Sequence, residues 1–289
     1  MHSAQELVAN VITLASLPTV YLRIRDELDA PTGSASSVAH AISADPAIAS
    51  SLLRLANSAF YGYGGKIDTI SRAVTVLGIQ QVHDLVLAIS VSGAFSLFAP
   101  RHLDMPRFWR GGVMRGLAAR EIGRNQGMIG VERLFVIGML SDIGHLVMHQ
   151  TVPELAHEAR TIAAGTREPL HEAERRIVGC DHAEVGAALM AQWRLPTSFV
   201  DIIGAQTVPR LGGDYVYEAA MVHVAARIAE ADQENESSTA AAERMDPTIW
   251  TLLEMEPVSL RRIRESAELD LAGYTALFFP NLGNERARA

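Results

Sequence analysis

The fold is decided by residues 135–148, which read FVIGMLSDIGHLVM and are almost entirely apolar apart from one carboxylate. Strong helix formers such as Leu140 and Met148 recur in this run, without the alternation of apolar and polar residues that a half-buried strand shows. The run is too short and too interrupted for a membrane span, so it predicts a helix that is buried on most faces. Because an unpaired buried charge is very costly, we expect Asp142 to have a specific partner.

The length and composition indicate a protein with a substantial core. The chain has 289 residues, of which 48% are hydrophobic, enough for one large domain or one and a half. The N-terminus lacks a charged segment followed by an apolar run, and no segment reaches the roughly 18 uninterrupted apolar residues of a membrane span. The single cysteine, Cys180, excludes an internal disulfide. We therefore expect a soluble, cytoplasmic protein that does not bind membranes.

The charge of the chain argues against nucleic acid as a partner. The formal net charge is −8, whereas nonspecific nucleic-acid binding depends on neutralising phosphates with an excess of basic side chains. Lys66 is the only lysine, so nearly all the cations are arginines. Any basic surface is therefore suited to bidentate contacts with anions.

Apolar residues recur with helical spacing along the chain, and no pair of segments alternates as strands do, which predicts an all-α fold. Local signals mark several helix ends. Asp45-Pro46 combines an N-cap with proline at the first helical position, Asp181 and Glu184 have capping-box spacing, and Gly78 suits a C-cap. A long helix over about residues 106–125 carries small residues that let a neighbour approach closely: Gly111, Gly112, Gly116, Ala118 and Ala119.

Several short motifs follow one another in a characteristic order. They are Leu17-Pro18, Asp45-Pro46, LLRLANS at residues 52–58, Phe108-Trp109, Asp142-Ile143-Gly144, GCDHAEVG at residues 179–186 and WRLP at residues 193–196. The segment around Asp142 resembles the signature of the HD phosphohydrolase superfamily. The whole set resembles more closely the HDOD family, the HD-related output domain of bacterial signalling proteins, over roughly residues 14–209.

The resemblance implies an N-terminal helical bundle packed on a degenerate HD-phosphohydrolase-like helical subdomain. It also implies a non-catalytic, regulatory role in bacterial signal transduction, exerted through contacts with other signalling proteins. Residues 210–289 would form a C-terminal helical extension, in which the polar segment near 233–242 predicts a mobile linker. The two helical subregions would join near Pro100 to Pro106.

The resemblance further implies which positions would hold the metal of a catalytic HD protein. Asp142 and His182 remain at two of them, as vestiges of the site. The other expected ligands are replaced, at Gly111, Ser141, Ala205-Gln206 and Ala226. Catalytic metal sites usually have three or more protein ligands and an open position for water. We therefore expect no catalytic residues, no metal or other cofactor, and no enzymatic activity.

The sequence leaves the role of Asp142 open between two alternatives. Asp142, His145 and His149 share one helix face, a spacing that would permit a replacement metal site. Alternatively, Asp142 accepts hydrogen bonds from buried donors such as His182 or Arg110. His145 and His149 would then simply lie near the C-terminus of the helix, where the helix dipole favours a histidine.

Three other features have a functional and a structural interpretation. Cys180 lies two residues before His182 and is either a nucleophile or a small buried hydrophobe. Phe60 and Tyr61, after Asn57-Ser58, form a recognition loop or fold back onto the bundle. The arginines of the long helix either form a solvated face or bind the phosphates of a cyclic dinucleotide: Arg107, Arg110, Arg115, Arg120 and Arg124. The Arg-x-x-Asp motif at residues 23–26 is a second candidate for such a ligand.

Two classes of function follow from these patterns. The first is a non-catalytic HDOD signalling protein. The second is a divergent metal-dependent HD-type phosphohydrolase, or a module that binds cyclic dinucleotides. The lost ligand positions favour the first, while the sequence names no partner, upstream signal or oligomeric state.

Overall fold

The computed structural model is all-α, as the sequence predicts. It describes residues 1–11, 17, 19–30, 34–58, 65–95, 100–166 and 168–280. Contacts divide the chain into a larger unit of residues 1–14 and 99–272 and a smaller unit of residues 15–98 and 273–289. The chain passes between the units next to the link predicted near Pro100. The predicted division into a family domain at residues 14–209 and an extension at residues 210–289 stays a prediction.

The smaller unit contains helices α2 (Thr19–Asp29), α3 (Ala35–Ser43), α4 (Pro46–Ala56), α5 (Ile70–Leu77), α6 (Ile79–Phe95) and the end of α17 (Ser259–Phe278). Asn57 joins two of its segments, because its side chain bonds both backbone groups of Ile67 at 2.6 and 2.8 Å. Asn57 therefore holds the chain on both sides of the predicted recognition loop. Phe60 and Tyr61 lie outside the described residues, so their role stays a prediction.

The larger unit contains the elements that position the candidate site. They are α1 (Ala4–Val11), α7 (Met105–Asn125), α8 (Glu132–Leu140), α9 (Ile143–Thr151), α10 (Pro153–Thr166), α11 (Leu170–Ile177), α12 (His182–Gln192), α13 (Thr197–Ala205), α14 (Val216–Gln233), α15 (Ser238–Glu243), α16 (Pro247–Leu252) and the start of α17. Helix α7 packs along α8 and α14, while α12 packs on α1, α9 and α13.

The predicted helix ends are confirmed where the structure describes them. Asp45 accepts hydrogen bonds from the first turn of α4, with Pro46 at its first position. Asp181 and Glu184 form both bonds of a capping box at the start of α12. Gly78 ends α5 with a φ of 85°, which favours glycine.

The segment predicted as one buried helix is instead two helices, so that prediction was wrong in its continuity. Helix α8 ends at Leu140 and α9 begins at Ile143. The Ser141 hydroxyl donates to the carbonyl oxygen of Gly138, three residues earlier, at 2.9 Å. Such a bond offers the backbone an alternative to regular helix. Asp142 therefore lies at the break, with a φ of −93° and a ψ of 2°.

Close helix approach depends on glycine at several positions of the larger unit. A Cβ at Gly116 of α7 would lie 2.5 Å from the carbonyl oxygen of Phe135 in α8, which confirms the predicted close contact. At Gly144 of α9, a Cβ would lie 1.9 Å from the carbonyl oxygen of His182 in α12. Hydrogen at this position is what allows the α9 backbone to contact the start of α12.

The structure differs from the predicted mobile linker near residues 233–242. This segment includes the end of α14 and most of α15, with Ser237 as the N-cap of α15. Ala241 is fully buried, and Glu236 pairs with Arg227 and Arg244. The polar composition reflects ion pairs rather than an unstructured connection.

No single helix in the described ranges combines the length and apolar composition needed to cross a membrane. The pair α5 and α6 meets these criteria only jointly and is bent by 119°.

Substitution of Gly144 by alanine tests the α9–α12 contact. Gly144→Ala should lower the free energy of unfolding by about 1–3 kcal/mol, because the new methyl group meets backbone that cannot rotate away. Urea denaturation measures the change. Gly165→Ala in α10 is the matched control, since its Cβ meets nothing within 4 Å and should stabilise the protein by up to about 1 kcal/mol. Equal effects of the two substitutions would contradict the contact.

Candidate functional site

The candidate site is built from four segments of the larger unit. Arg115 comes from α7, Asp142 and His145 from the break and first turn of α9, Glu174 from α11, and His182 from the start of α12. The close approach at Gly144 brings the last of these against α9. All five side chains belong to one network of ion pairs and hydrogen bonds.

Asp142 is paired with two cationic side chains. One carboxylate oxygen, Oδ2, lies 2.5 Å from Nη1 of Arg115, and the other, Oδ1, accepts from Nδ1 of His145 at 2.8 Å. Burial alone would raise the pKa of Asp142, but Arg115 and His145 hold this pKa well below its usual value. Asp142 is therefore a carboxylate at neutral pH.

His145 lies between two carboxylates and bonds both of them. Its Nδ1 contacts Asp142, and its Nε2 lies 2.8 Å from Oε1 of Glu174. Burial lowers the pKa of His145, but the two carboxylates raise this pKa more strongly, to about 9. The imidazole is therefore protonated at neutral pH and donates from both nitrogens.

Glu174 links the two histidines from the opposite side. Its Oε1 accepts from His145, and its Oε2 accepts from both Nδ1 and the backbone N–H of His182 at 2.7 and 3.1 Å. Burial raises the pKa of Glu174, but the two histidines lower it well below the usual value. The residue is only 2% exposed, so these bonds replace nearly all of its hydration.

Sequence reasoning did not select Glu174, although its spacing carried a signal. Glu174 follows Ala173 on the same face of α11 as Leu170 and Ile177, which pack on the core cluster there. A carboxylate on an apolar face indicates a buried partner. Without the fold, nothing in the spacing pairs it with histidines from two other helices.

The residues present do not fit the metal of an HD enzyme. Ligand atoms of Asp142, His145 and His182 lie within 4.8 Å of one another, and the two imidazoles stack with their centroids 4.1 Å apart. However, His145 uses both of its nitrogens on carboxylates, and Arg115 already provides a positive charge at Asp142. The distances suit a small cation, whereas the positive charge of Arg115 beside Asp142 does not.

The positions where the resemblance places further ligands have other contacts. A Cβ at Gly111 would lie 2.1 Å from Nε2 of Gln233, so this position faces α14. The carbonyl oxygen of Ser141 accepts a bond from Nε2 of Gln206 at 2.5 Å. Ala205 is buried and Ala226 is half-buried in α14.

The structure corrects the predicted partners of Asp142. The suggested donors were His182 and Arg110, but Asp142 accepts from His145 and forms an ion pair with Arg115, while Arg110 pairs with Asp232. Among the described residues, His149 is not part of the group of possible metal ligands formed by Asp142, His145 and His182. It is buried, and burial lowers its pKa to about 4, so it is neutral and gains nothing from the helix dipole.

The arginines of α7 are not a uniformly solvated helix face, so that interpretation was wrong. Arg115 and Arg120 are buried, and Arg120 lies 3.3 Å from Asp270. Arg107 donates to Gln233, and Arg124 lies 3.9 Å from Glu121. The regular spacing placed these side chains correctly on one helix but did not show that each has a polar partner.

Cys180 has the properties of a buried apolar residue rather than a nucleophile. Burial and the neighbouring acidic side chains raise the pKa of its thiol to about 12. The thiol is therefore protonated at neutral pH, and only the thiolate is reactive.

The family is shown by comparison with known sequences. The HDOD domain model matches residues 14–209. The chain belongs to the HDOD family. A Treponema pallidum (strain Nichols) protein named "Uncharacterized protein" is 25% identical over 201 residues, which are 69% of this chain and 39% of that protein. The chain thus spans about two fifths of the length of that relative.

Solved structures share the fold of this HDOD protein. A Shewanella amazonensis protein named "Putative phosphohydrolase" is 26% identical with a TM-score of 0.71, covering 93% of this chain and 97% of that one. An HDOD domain protein of unknown function from Geobacter sulfurreducens is 18% identical with a TM-score of 0.73, covering 95% and 98%. At 18% identity the likeness concerns the fold alone.

The charge network makes stability depend on pH. Because the pKa of His145 is raised on folding, its contribution is complete below pH 6.5 and is lost as the pH rises through about 9. Between these values, wild-type stability should fall relative to His145→Gln by up to ~3 kcal/mol. Urea denaturation of both proteins across this pH range measures the difference. A difference that stays constant with pH would contradict the protonated state of His145.

Removal of the Glu174 carboxylate should leave two histidines without their acceptor. Glu174→Ala should lower the free energy of unfolding by about 3–5 kcal/mol, the usual effect of breaking a buried ion pair. Glu172→Ala, at an exposed position of the same helix, is the control and should change stability by less than about 1 kcal/mol. Thermal and urea unfolding measure both. A loss for Glu174→Ala no larger than the control's would show that the network contributes nothing.

Proposed function

We propose that this HDOD protein is non-catalytic and acts through protein contacts in bacterial signal transduction, in the cytoplasm. The observation that carries the proposal is the closed network of Arg115, Asp142, His145, Glu174 and His182, at the place where the resemblance puts the HD metal site.

The contacts of Asp142 argue against metal-dependent hydrolysis. An HD-type hydrolase needs a metal to activate water, and such a metal needs several ligands and an open coordination position. Here one carboxylate oxygen of Asp142 bonds His145 and the other lies beside Arg115. A divalent ion at Asp142 would have to compete with both contacts.

The formal charges of four members of the network also balance without a metal. Asp142 and Glu174 contribute two negative charges, while Arg115 and protonated His145 contribute two positive charges. Buried charges are tolerated when they are paired, and each of these four charges lies beside an opposite one. The site is thereby a structural element, and the regulatory role falls to the surfaces of the protein.

Two further points support contacts with signalling proteins over small ligands. A protein from Marinobacter aquaeolei VT8 with the same fold carries the name "Putative signal transduction protein"; it is 17% identical with a TM-score of 0.65, covering 93% of this chain and 60% of that one. The arginines of α7 that suggested a cyclic dinucleotide site have partners within the protein. These pairings weaken the case for such a ligand.

The second candidate function is metal-dependent phosphohydrolysis. The ligand atoms of Asp142, His145 and His182 lie close enough together to hold a small cation. The name of the Shewanella amazonensis protein belongs to the same reaction class. This function requires His145 to give up its proton and Arg115 to leave Asp142.

Hydrolysis assays distinguish the two functions. Purified wild-type protein, supplied in turn with Mn²⁺, Fe²⁺, Mg²⁺ and Zn²⁺, should release no product from cyclic dinucleotides or a chromogenic phosphodiester above the background of buffer with metal. Asp142→Asn is the control, because it removes the charge that any metal at this site requires. Wild-type activity that disappears in a folded Asp142→Asn variant would overturn the non-catalytic role.

The contact role is tested by affinity capture from the bacterium that makes this protein. Wild type and Asp142→Asn should capture the same signalling proteins after cross-linking, since the network is structural in this proposal. Circular dichroism first confirms that the variant is folded. The contact role would be contradicted if wild type captured no signalling protein. It would also be contradicted if a folded Asp142→Asn variant lost the captured proteins.

A further inference from the structure

We propose that Arg115 takes the place of the divalent metal of HD enzymes, and that its guanidinium excludes metal from the remaining ligands. The inference rests on the proposed non-catalytic function and adds the residue that enforces it. It concerns a latent metal site, composed of Asp142, His145 and His182, that the protein keeps closed.

The geometry of Arg115 gives it the position of a bound cation. Its side chain is buried, with the residue only 7% exposed, and its Nη1 lies 2.5 Å from Oδ2 of Asp142. Asp142 is the one residue of the HD His-Asp pair that this chain retains. The guanidinium therefore contacts the carboxylate that would otherwise bind the ion.

The backbone explains how an α7 side chain reaches this carboxylate. A Cβ at Gly138 of α8 would lie 2.9 Å from the carbonyl oxygen of Arg115, so the two helices are in direct contact beside this residue. Asp142 follows four residues after Gly138, at the break between α8 and α9. The close helix approach thus brings Arg115 to Asp142 and leaves little room for a hydrated ion between them.

Electrostatics make Arg115 and a divalent cation mutually exclusive. Arginine is always charged at neutral pH, so its guanidinium repels a metal at the same carboxylate. The loss of other ligands weakens the site, yet three ligand atoms still lie within 4.8 Å of one another. An uncharged side chain at position 115 would leave Asp142 without this partner, and a divalent ion could then replace it.

Metal binding by Arg115 variants tests the inference. Each purified, folded protein is dialysed against Zn²⁺ or Mn²⁺ and its metal content is measured, with thermal unfolding recorded with and without the ion. Arg115→Met should bind about one equivalent at least roughly tenfold more tightly than wild type, and the ion should raise its Tm. Asp142→Asn in the same chain should abolish the gain.

Two control variants separate charge from the loss of a buried arginine. Arg115→Lys keeps a positive charge at the position and should bind no more metal than wild type. Arg120→Met removes a buried arginine from the same helix, paired with Asp270 rather than with Asp142, and should also bind no more metal than wild type.

Four outcomes would overturn the inference. They are stoichiometric metal in wild type that depends on Asp142, a folded Arg115→Met variant without increased binding, equal gains in Arg115→Lys or Arg120→Met, and an Arg115→Met variant that fails to fold even with metal. The last counts because a metal that substitutes for the guanidinium should restore the fold. Hydrolysis by wild type refutes the proposed function, whereas a folded, metal-free Arg115→Met variant refutes only this inference.

Discussion

The carboxylate of Asp142 imposes the central constraint on the larger unit. It lies in a nearly wholly apolar segment, where an unpaired charge would be very unfavourable, so cations must be brought to it. His145 comes from the next turn of the same helix and Arg115 from α7. Protonated His145 then needs a second acceptor, which Glu174 provides from α11. Three helices are thereby fixed relative to one carboxylate.

Such a network contributes more to uniqueness of structure than to net stability. Desolvation of four charges offsets most of their mutual attraction, so a well-packed apolar core would be equally stable in many proteins. Once the charges are buried, however, any arrangement that separates them leaves an unpaired group. The network therefore restricts how α7, α9, α11 and α12 can pack. The absence of a side chain at Gly144 supports the same arrangement, because it allows α12 to contact α9.

The network also relates the HDOD fold to metal-dependent HD chemistry. A divalent ion in an HD enzyme neutralises carboxylates and fixes histidines, and here Arg115 and protonated His145 neutralise Asp142 and Glu174. The same fold can thus retain its packing without the ion. In the proposed function, the buried network maintains the fold, and surfaces elsewhere provide specificity for partners.

The sequence by itself determined the fold class, many helix ends and the residues present where the resemblance expects metal ligands. These features depend on local spacing, as at Asp45-Pro46 and Asp181–Glu184, or on residue identity, as at Gly111 and Ser141. Only the tertiary structure decided that Arg115 and His145 pair with Asp142 and that Glu174 pairs with His145. Helical periodicity specifies a face, whereas the partner of a buried charge depends on which distant helices approach that face, and residues 115, 142, 174 and 182 meet only after folding.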